Sequence, residues 1–74
     1  MHITVKLHAS LQNGRFEEGD LQVADPTPIR GLVQRLGIPA GQVGILVVNG
    51  RHARLDDLLA PEDTVSLFPP VGGG

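Results

Sequence analysis

The N-terminal segment MHITVKLHA alternates in polarity, with Ile3, Val5 and Leu7 on one side of an extended chain and His2, Thr4, Lys6 and His8 on the other. A period of two over this length predicts a half-buried strand. In LQNGRFEEGD the pairs Asn13-Gly14 and Gly19-Asp20 are turn signals. The following LQVA predicts a second short strand with Leu21 and Val23 inward, so the two strands form a hairpin with a long, charged connection.

The period then changes. In ADPTPIRGLVQRLGIP, Ile29, Leu32, Val33 and Leu36 recur at i, i+3, i+4 and i+7, one face of a helix. Thr27 is the expected N-cap and Pro28 fits the first helical position, where no N–H is needed. Gly37 suits a left-handed C-terminal turn, Ile38 the hydrophobic contact that follows, and Pro39 the stop. Gly31 inside the helix costs about 1 kcal/mol against Ala, which suggests a close neighbour. A helix this short does not persist alone in water and must pack on the sheet.

A third strand is predicted over Ile45 to Val48, then a turn at Asn49-Gly50 and a short fourth strand around His52 to Arg54. DDLLAPED is expected to contain one helical turn that places Leu58 and Leu59 inward. TVSLF predicts a fifth strand, Val65 and Leu67 inward and Thr64, Ser66 and Phe68 outward, ended by Pro69-Pro70 because neither proline can donate to a ladder. Strand, strand, helix, strand, short strand, strand is an α+β pattern. One main helix packed across one face of a small mixed sheet of four to five strands satisfies it. That is the β-grasp arrangement of ubiquitin, with a body over 1–68 and an extended tail over 69–74.

Composition narrows the function classes. At 74 residues the chain is one domain near the lower limit for unassisted folding, and it has no Cys to brace it or to act as a nucleophile. Six Lys plus Arg against eight Asp plus Glu give a net charge of −2, which argues against a nucleic-acid or anionic-membrane binder. No stretch approaches the ~18 apolar residues of a membrane span. MHITVKLHAS lacks the basic and apolar regions of a signal peptide. A cytoplasmic, soluble domain is the expectation.

Catalytic constellations are absent from the sequence. His2, His8 and His52 lack metal-ligand spacing, and His2 and His8, six positions apart on a strand, are separated by ~20 Å. They read as solvated surface residues. The pairs Glu17-Glu18 and Asp56-Asp57 read as solvated charge clusters. Gly14, Gly19, Gly37, Gly41, Gly44 and Gly50 read as turn glycines, and none forms a nucleotide fingerprint. The chain is not expected to be an enzyme.

What stands out instead is a surplus of outward apolar residues. Ile45-Leu46-Val47-Val48 is aliphatic at four consecutive positions, so two must face away from the helix, and Phe68 points outward beside the tail. A contiguous apolar group there suggests a docking surface, with Leu46, Val47, Phe68, Pro69, Pro70 and Val71 as its candidates. The tail admits two readings. Pro69-Pro70 favours a stiff, extended course off the domain, and Val71 to Gly74 then reach ~13 Å beyond it, bare enough to thread a narrow tunnel. The other reading is a frayed end.

FPPVGGG after TVSL, with VNG upstream and this element order, resembles the MoaD and ThiS sulfur-carrier families over the whole chain. The MoaD pattern, that of the small subunit of molybdopterin synthase, is matched by Phe68, Pro69, Pro70 and Val71, a small residue at Gly72, then Gly73 and Gly74. The resemblance implies that an ATP- and magnesium-dependent adenylating and sulfur-transferring enzyme activates the Gly74 carboxylate, which becomes a thiocarboxylate. Gly72, Gly73 and Gly74 would thread into the partners, and the chain itself would bind no cofactor. The implied sulfur acceptor is a synthase: the molybdopterin synthase large subunit or, alternatively, thiazole synthase in the thiamin branch or the synthase of another sulfur-containing product. A lysine-directed protein modifier and a non-covalent β-grasp interaction module are the alternatives.

Overall fold

In the computed structural model, which describes residues 1–71, the alternating N-terminus forms β1 (His2–Leu7). β2 (Glu18–Gln22), α1 (Ile29–Arg35), β3 (Ile45–Val48), β4 (Arg51–His52) and β5 (Thr64–Phe68) follow. The five strands make one mixed sheet in the order β2-β1-β5-β3-β4. The terminal strands β1 and β5 lie parallel at its centre, Val5 opposite Val65 and Leu7 opposite Leu67. The flanking pairs are antiparallel. This is the predicted β-grasp architecture.

Strand alternation decides what is buried. Ile3, Val5, Leu7, Val65 and Leu67 have no exposed surface, and Leu46 joins them beneath the sheet at 6%. Across from them α1 contributes Ile29, Leu32 and Val33. Full burial of each such side chain stabilises by about 1.5–3 kcal/mol. Aliphatic packing therefore replaces the covalent bracing that the composition denies. Leu36, the fourth residue of the predicted helical face, is half-buried at the C-cap and packs against this core.

The helix ends as its sequence predicts and begins otherwise. Gly37 takes φ +72. Its N–H donates to Gln34 O at 3.0 Å, and Ile38 N–H donates to Val33 O at 3.2 Å. This is the paired closure that a left-handed glycine allows. At the start, Pro28 rather than Thr27 occupies the N-cap. The Thr27 hydroxyl donates to Ala24 O instead. Capping by a side chain is unnecessary because the β4–β5 loop supplies acceptors. Ile29 N–H reaches Asp57 O at 3.0 Å, and Arg30 N–H reaches Leu55 O at 2.8 Å. A Cβ at Gly31 would come within 3.2 Å of the Thr27 methyl, so its close neighbour is the preceding turn.

That loop contact corrects another expectation. Residues 54–57 close a turn, Asp57 N–H donating to Arg54 O at 3.0 Å, and the chain then passes alongside the N-terminus of α1 at Leu58 and Leu59 without forming a helical turn. Leu59 N–H donates to Thr27 O, and Pro28 pairs with Leu58 as an isolated bridge. Neighbouring side chains consequently diverge: Leu59 is buried, while Leu58 is 65% exposed. Three boundaries also shift. Ala9–Gln12 forms a 3-10 turn, with Leu11 buried, where a plain connection was expected. β2 starts at Glu18 because β1 is long enough to pair with it, Lys6 opposite Glu18 and Val5 opposite Gly19. β4 is Arg51–His52 rather than His52–Arg54.

Candidate functional site

The outer face of the sheet divides into two halves. Register places Gln22 and Asp20 of β2 beside His2 and Thr4 of β1, then Thr64 and Ser66 of β5, giving a polar half. On the other side Phe68 lies opposite Ile45, and Val47 between Ser66 and His52, giving an apolar half. Phe68, Ile45 and Val47 are all half-buried. β3 thus answers the question left by its four aliphatics. Leu46 and Val48 turn toward the core, and Ile45 and Val47 turn out. Leu46 is therefore withdrawn from the proposed dock. Its partner across the ladder, Leu67, is an inner-face residue, and a strand's side chains alternate. Val47 lies on the outer face.

The chain leaves the domain at the apolar edge. Phe68 is stacked on the His8 ring, centroids 4.0 Å apart and planes 7° from parallel. His8 is held there by its N–H donating to Leu67 O at 3.1 Å. Its Nε2 is buried and has no hydrogen-bond partner among the described residues. On the β3 side, Gly44 N–H donates to Phe68 O at 2.7 Å. Beyond Phe68, Pro69 is half-buried, Pro70 is exposed and Val71 is 88% exposed. Phe68, Pro69, Pro70 and Val71 are therefore contiguous with the outer apolar half. Gly72, Gly73 and Gly74, expected to carry the chemistry, lie outside the described residues.

Two histidines differ from the solvated surface residues expected of them. His8 is the stacking partner of Phe68; strand parity placed it outward, but only the β1–β5 pairing reveals its neighbour. His2, on the polar half, bridges three elements. Its Nδ1 is 3.0 Å from Glu62 and its Nε2 3.3 Å from Asp20. The hydrogen bond to Glu62 and the charges of Glu62 and Asp20 raise its pKa above the ordinary 6.5, against partial desolvation. Gly44 is not a turn glycine: it has no positive φ, and an added Cβ would meet backbone atoms of Pro69 and Pro70. Asp56 and Asp57 are exposed but partnered, Asp56 with Arg30 at 3.1 Å and Asp57 with the Arg54 N–H at 2.9 Å. Among the described residues there is no cluster suited to a metal ion and no pocket. No helix among them is long and apolar enough to cross a membrane.

Comparison with known proteins agrees with this geometry. Residues 5–74 match the ThiS family. No curated protein matches the chain. Among solved structures it is similar to a protein assigned as molybdopterin converting factor subunit 1 of Pyrococcus furiosus, at 24% identity and TM-score 0.78 over 96% of this chain and 99% of that one. A complex of subunits 1 and 2 of the molybdopterin-converting factor from Helicobacter pylori contains a chain similar at 22% identity and TM-score 0.66, covering 100% of both. The small archaeal modifier protein 1 of H. volcanii is similar at 24% identity and TM-score 0.73, over 95% of this chain and 98% of that one. At these identities the likeness establishes the fold.

Proposed function

The chain belongs to the ThiS family, and we propose that it is a sulfur carrier whose reactive group is the Gly74 carboxylate. The observation that supports this most is the exit of β5. An exposed Pro70-Val71 segment leads from the outer apolar half into Gly72-Gly73-Gly74. Glycines present no Cβ, so such a segment fits a narrow channel and leaves its carbonyl carbon open to attack.

A carboxylate is a poor electrophile, so a partner must activate it. The Gly74 carboxylate attacks the α-phosphorus of ATP, bound with magnesium by that partner, forming an acyl adenylate and releasing pyrophosphate. Hydrosulfide then attacks the carbonyl carbon, AMP leaves, and a thiocarboxylate remains. The carrier acts as co-substrate, and catalysis belongs to the partners. Ile45, Val47 and Phe68 provide the apolar contact by which both the adenylating enzyme and the sulfur-accepting synthase hold the domain. The final acceptor we propose is a molybdopterin precursor on the synthase large subunit. The Phe68-Pro69-Pro70-Val71 pattern and the subunit names of two structural neighbours support that branch over thiazole formation.

The test is to incubate the untagged protein with ATP, magnesium, an adenylating enzyme of the ubiquitin-activating type from the same organism and sulfide, then measure intact mass. Replacement of one oxygen by one sulfur, mapped to Gly74, is the expected result. An unchanged mass, with the enzyme active on another carrier, contradicts the proposal. A modifier function is favoured by the name of the archaeal neighbour. It requires conjugates that survive denaturant and reductant.

A further inference from the structure

Gly44 directly precedes β3, faces solvent and has no positive φ. Neither turn geometry nor a buried packing position explains it. What it touches does. A Cβ built on Gly44 would lie 2.6 Å from Pro70 N and 2.7 Å from Pro69 O, and closer still to Pro70 Cα. All three are backbone atoms of prolines, which cannot swing aside as the end of a flexible side chain can. At Gly41, three residues earlier, an added Cβ meets nothing within 4 Å.

We infer that Gly44 is a positioning residue: its bare Cα is the seat on which Pro69-Pro70 rests, and this seat sets the direction in which the reactive tail leaves the domain. Three features converge on the exit. Gly44 N–H holds Phe68 O from the β3 side. The His8 ring covers the Phe68 ring from the β1 side. Proline fixes φ near −65° at two successive positions, so a direction set at Pro69 is passed on to Val71. A carrier whose terminus must enter two different active sites gains from an exit preset in the free protein, because less conformational freedom is lost on binding. The seat is a property of the fold. Its consequence for activation rests on the sulfur-carrier reading.

The experiment has a structural and a kinetic arm. In the wild-type protein, a nuclear Overhauser contact between the Gly44 and Pro70 α-protons is expected; its absence overturns the seat. Gly44→Ala should abolish that contact and shift the Val71 amide while leaving β1–β5 amide shifts in place, whereas Gly41→Ala should leave the contact and the shift unchanged. In the activation assay with ATP, magnesium, sulfide and the adenylating enzyme, Gly44→Ala should lower kcat/KM about tenfold or more, since small misplacements of a reacting group are costly. Gly41→Ala should match wild type.

A double-mutant cycle separates the seat from a general effect on folding. Replacing both Pro69 and Pro70 by Gly frees the tail on an intact Gly44 and should itself lower kcat/KM. In that background Gly44→Ala should add no further loss. A full additional loss, or wild-type kinetics in the single variant, overturns the positioning role. If wild-type protein is not activated at all, that role in activation is overturned too, and a surviving Gly44–Pro70 contact assigns the failure to the carrier reading rather than to the seat.

Discussion

The two faces of this sheet are made by the same strands under the same alternation, and they have opposite consequences. Beneath, Val65 and Leu67 meet Val5, Leu7 and Leu46 with almost no exposed surface, closed over by α1. Above, Ser66 and Phe68 of that same strand meet Lys6, Val47 and Ile45, and all five are half-buried rather than closed over. A face that served only to be wet would be polar throughout, as the β2–β1 half nearly is. The apolar half lies next to the departing tail, so surface and tail form one feature, and the inner face exists to hold it in place. Stability and function should therefore separate by strand parity.

The largest expected effect falls where no fold is at stake. Removing Gly73 and Gly74 should eliminate sulfur gain in the intact-mass assay while leaving the thermal midpoint unchanged. Next comes the inner face, where Leu67→Ala should cost about 2–5 kcal/mol in urea unfolding. That is a large share of the roughly 5–15 kcal/mol typical of a domain. On the outer face, Val47→Ser, opposite Ser66 in the ladder, should cost less than about 1 kcal/mol.

Val47→Asp sharpens the contrast from the other side. It should leave the fold intact and weaken binding to the activating enzyme at least about tenfold, read by calorimetry, as expected when a charge enters the apolar centre of an interface. Unchanged affinity would remove Val47 from the dock. The smallest effect belongs to the polar half. His2 has its pKa raised by Glu62 and Asp20. The folded state therefore binds that proton more tightly than the unfolded chain does. The resulting stabilisation is fully present below the ordinary value of 6.5 and is lost as pH rises through the higher folded value. A small fall in thermal midpoint as pH rises above 6.5 is expected from this group. Glu62→Gln should flatten it.

Strand parity made most of this legible in advance. Ile3, Val5, Leu7, Val65 and Leu67 declare their side by alternation, and Gly37-Ile38-Pro39 declares the end of α1. The misreadings share one cause, contact between segments distant in sequence. Thr27 looks like an N-cap until the β4–β5 loop takes the helix's first N–H groups. Leu58 looks buried until its bridge to Pro28 leaves the side chain exposed. In β3 all four residues are aliphatic, so alternation cannot choose; the ladder to β5 does, taking Leu46 in and leaving Val47 out. Gly44 and His8 carried no local signal, since what they touch, Pro70 and Phe68, arrives from the far end of the chain.

The division of labour between the two faces is tested most directly by mapping amide shifts of the labelled protein as the activating enzyme is added. The strongest changes should fall on Ile45, Val47, Ser66, Phe68 and Val71, with the exposed side of α1 at Arg30, Gln34 and Arg35 unaffected. Changes concentrated on that side of α1, with the outer sheet face silent, would contradict it.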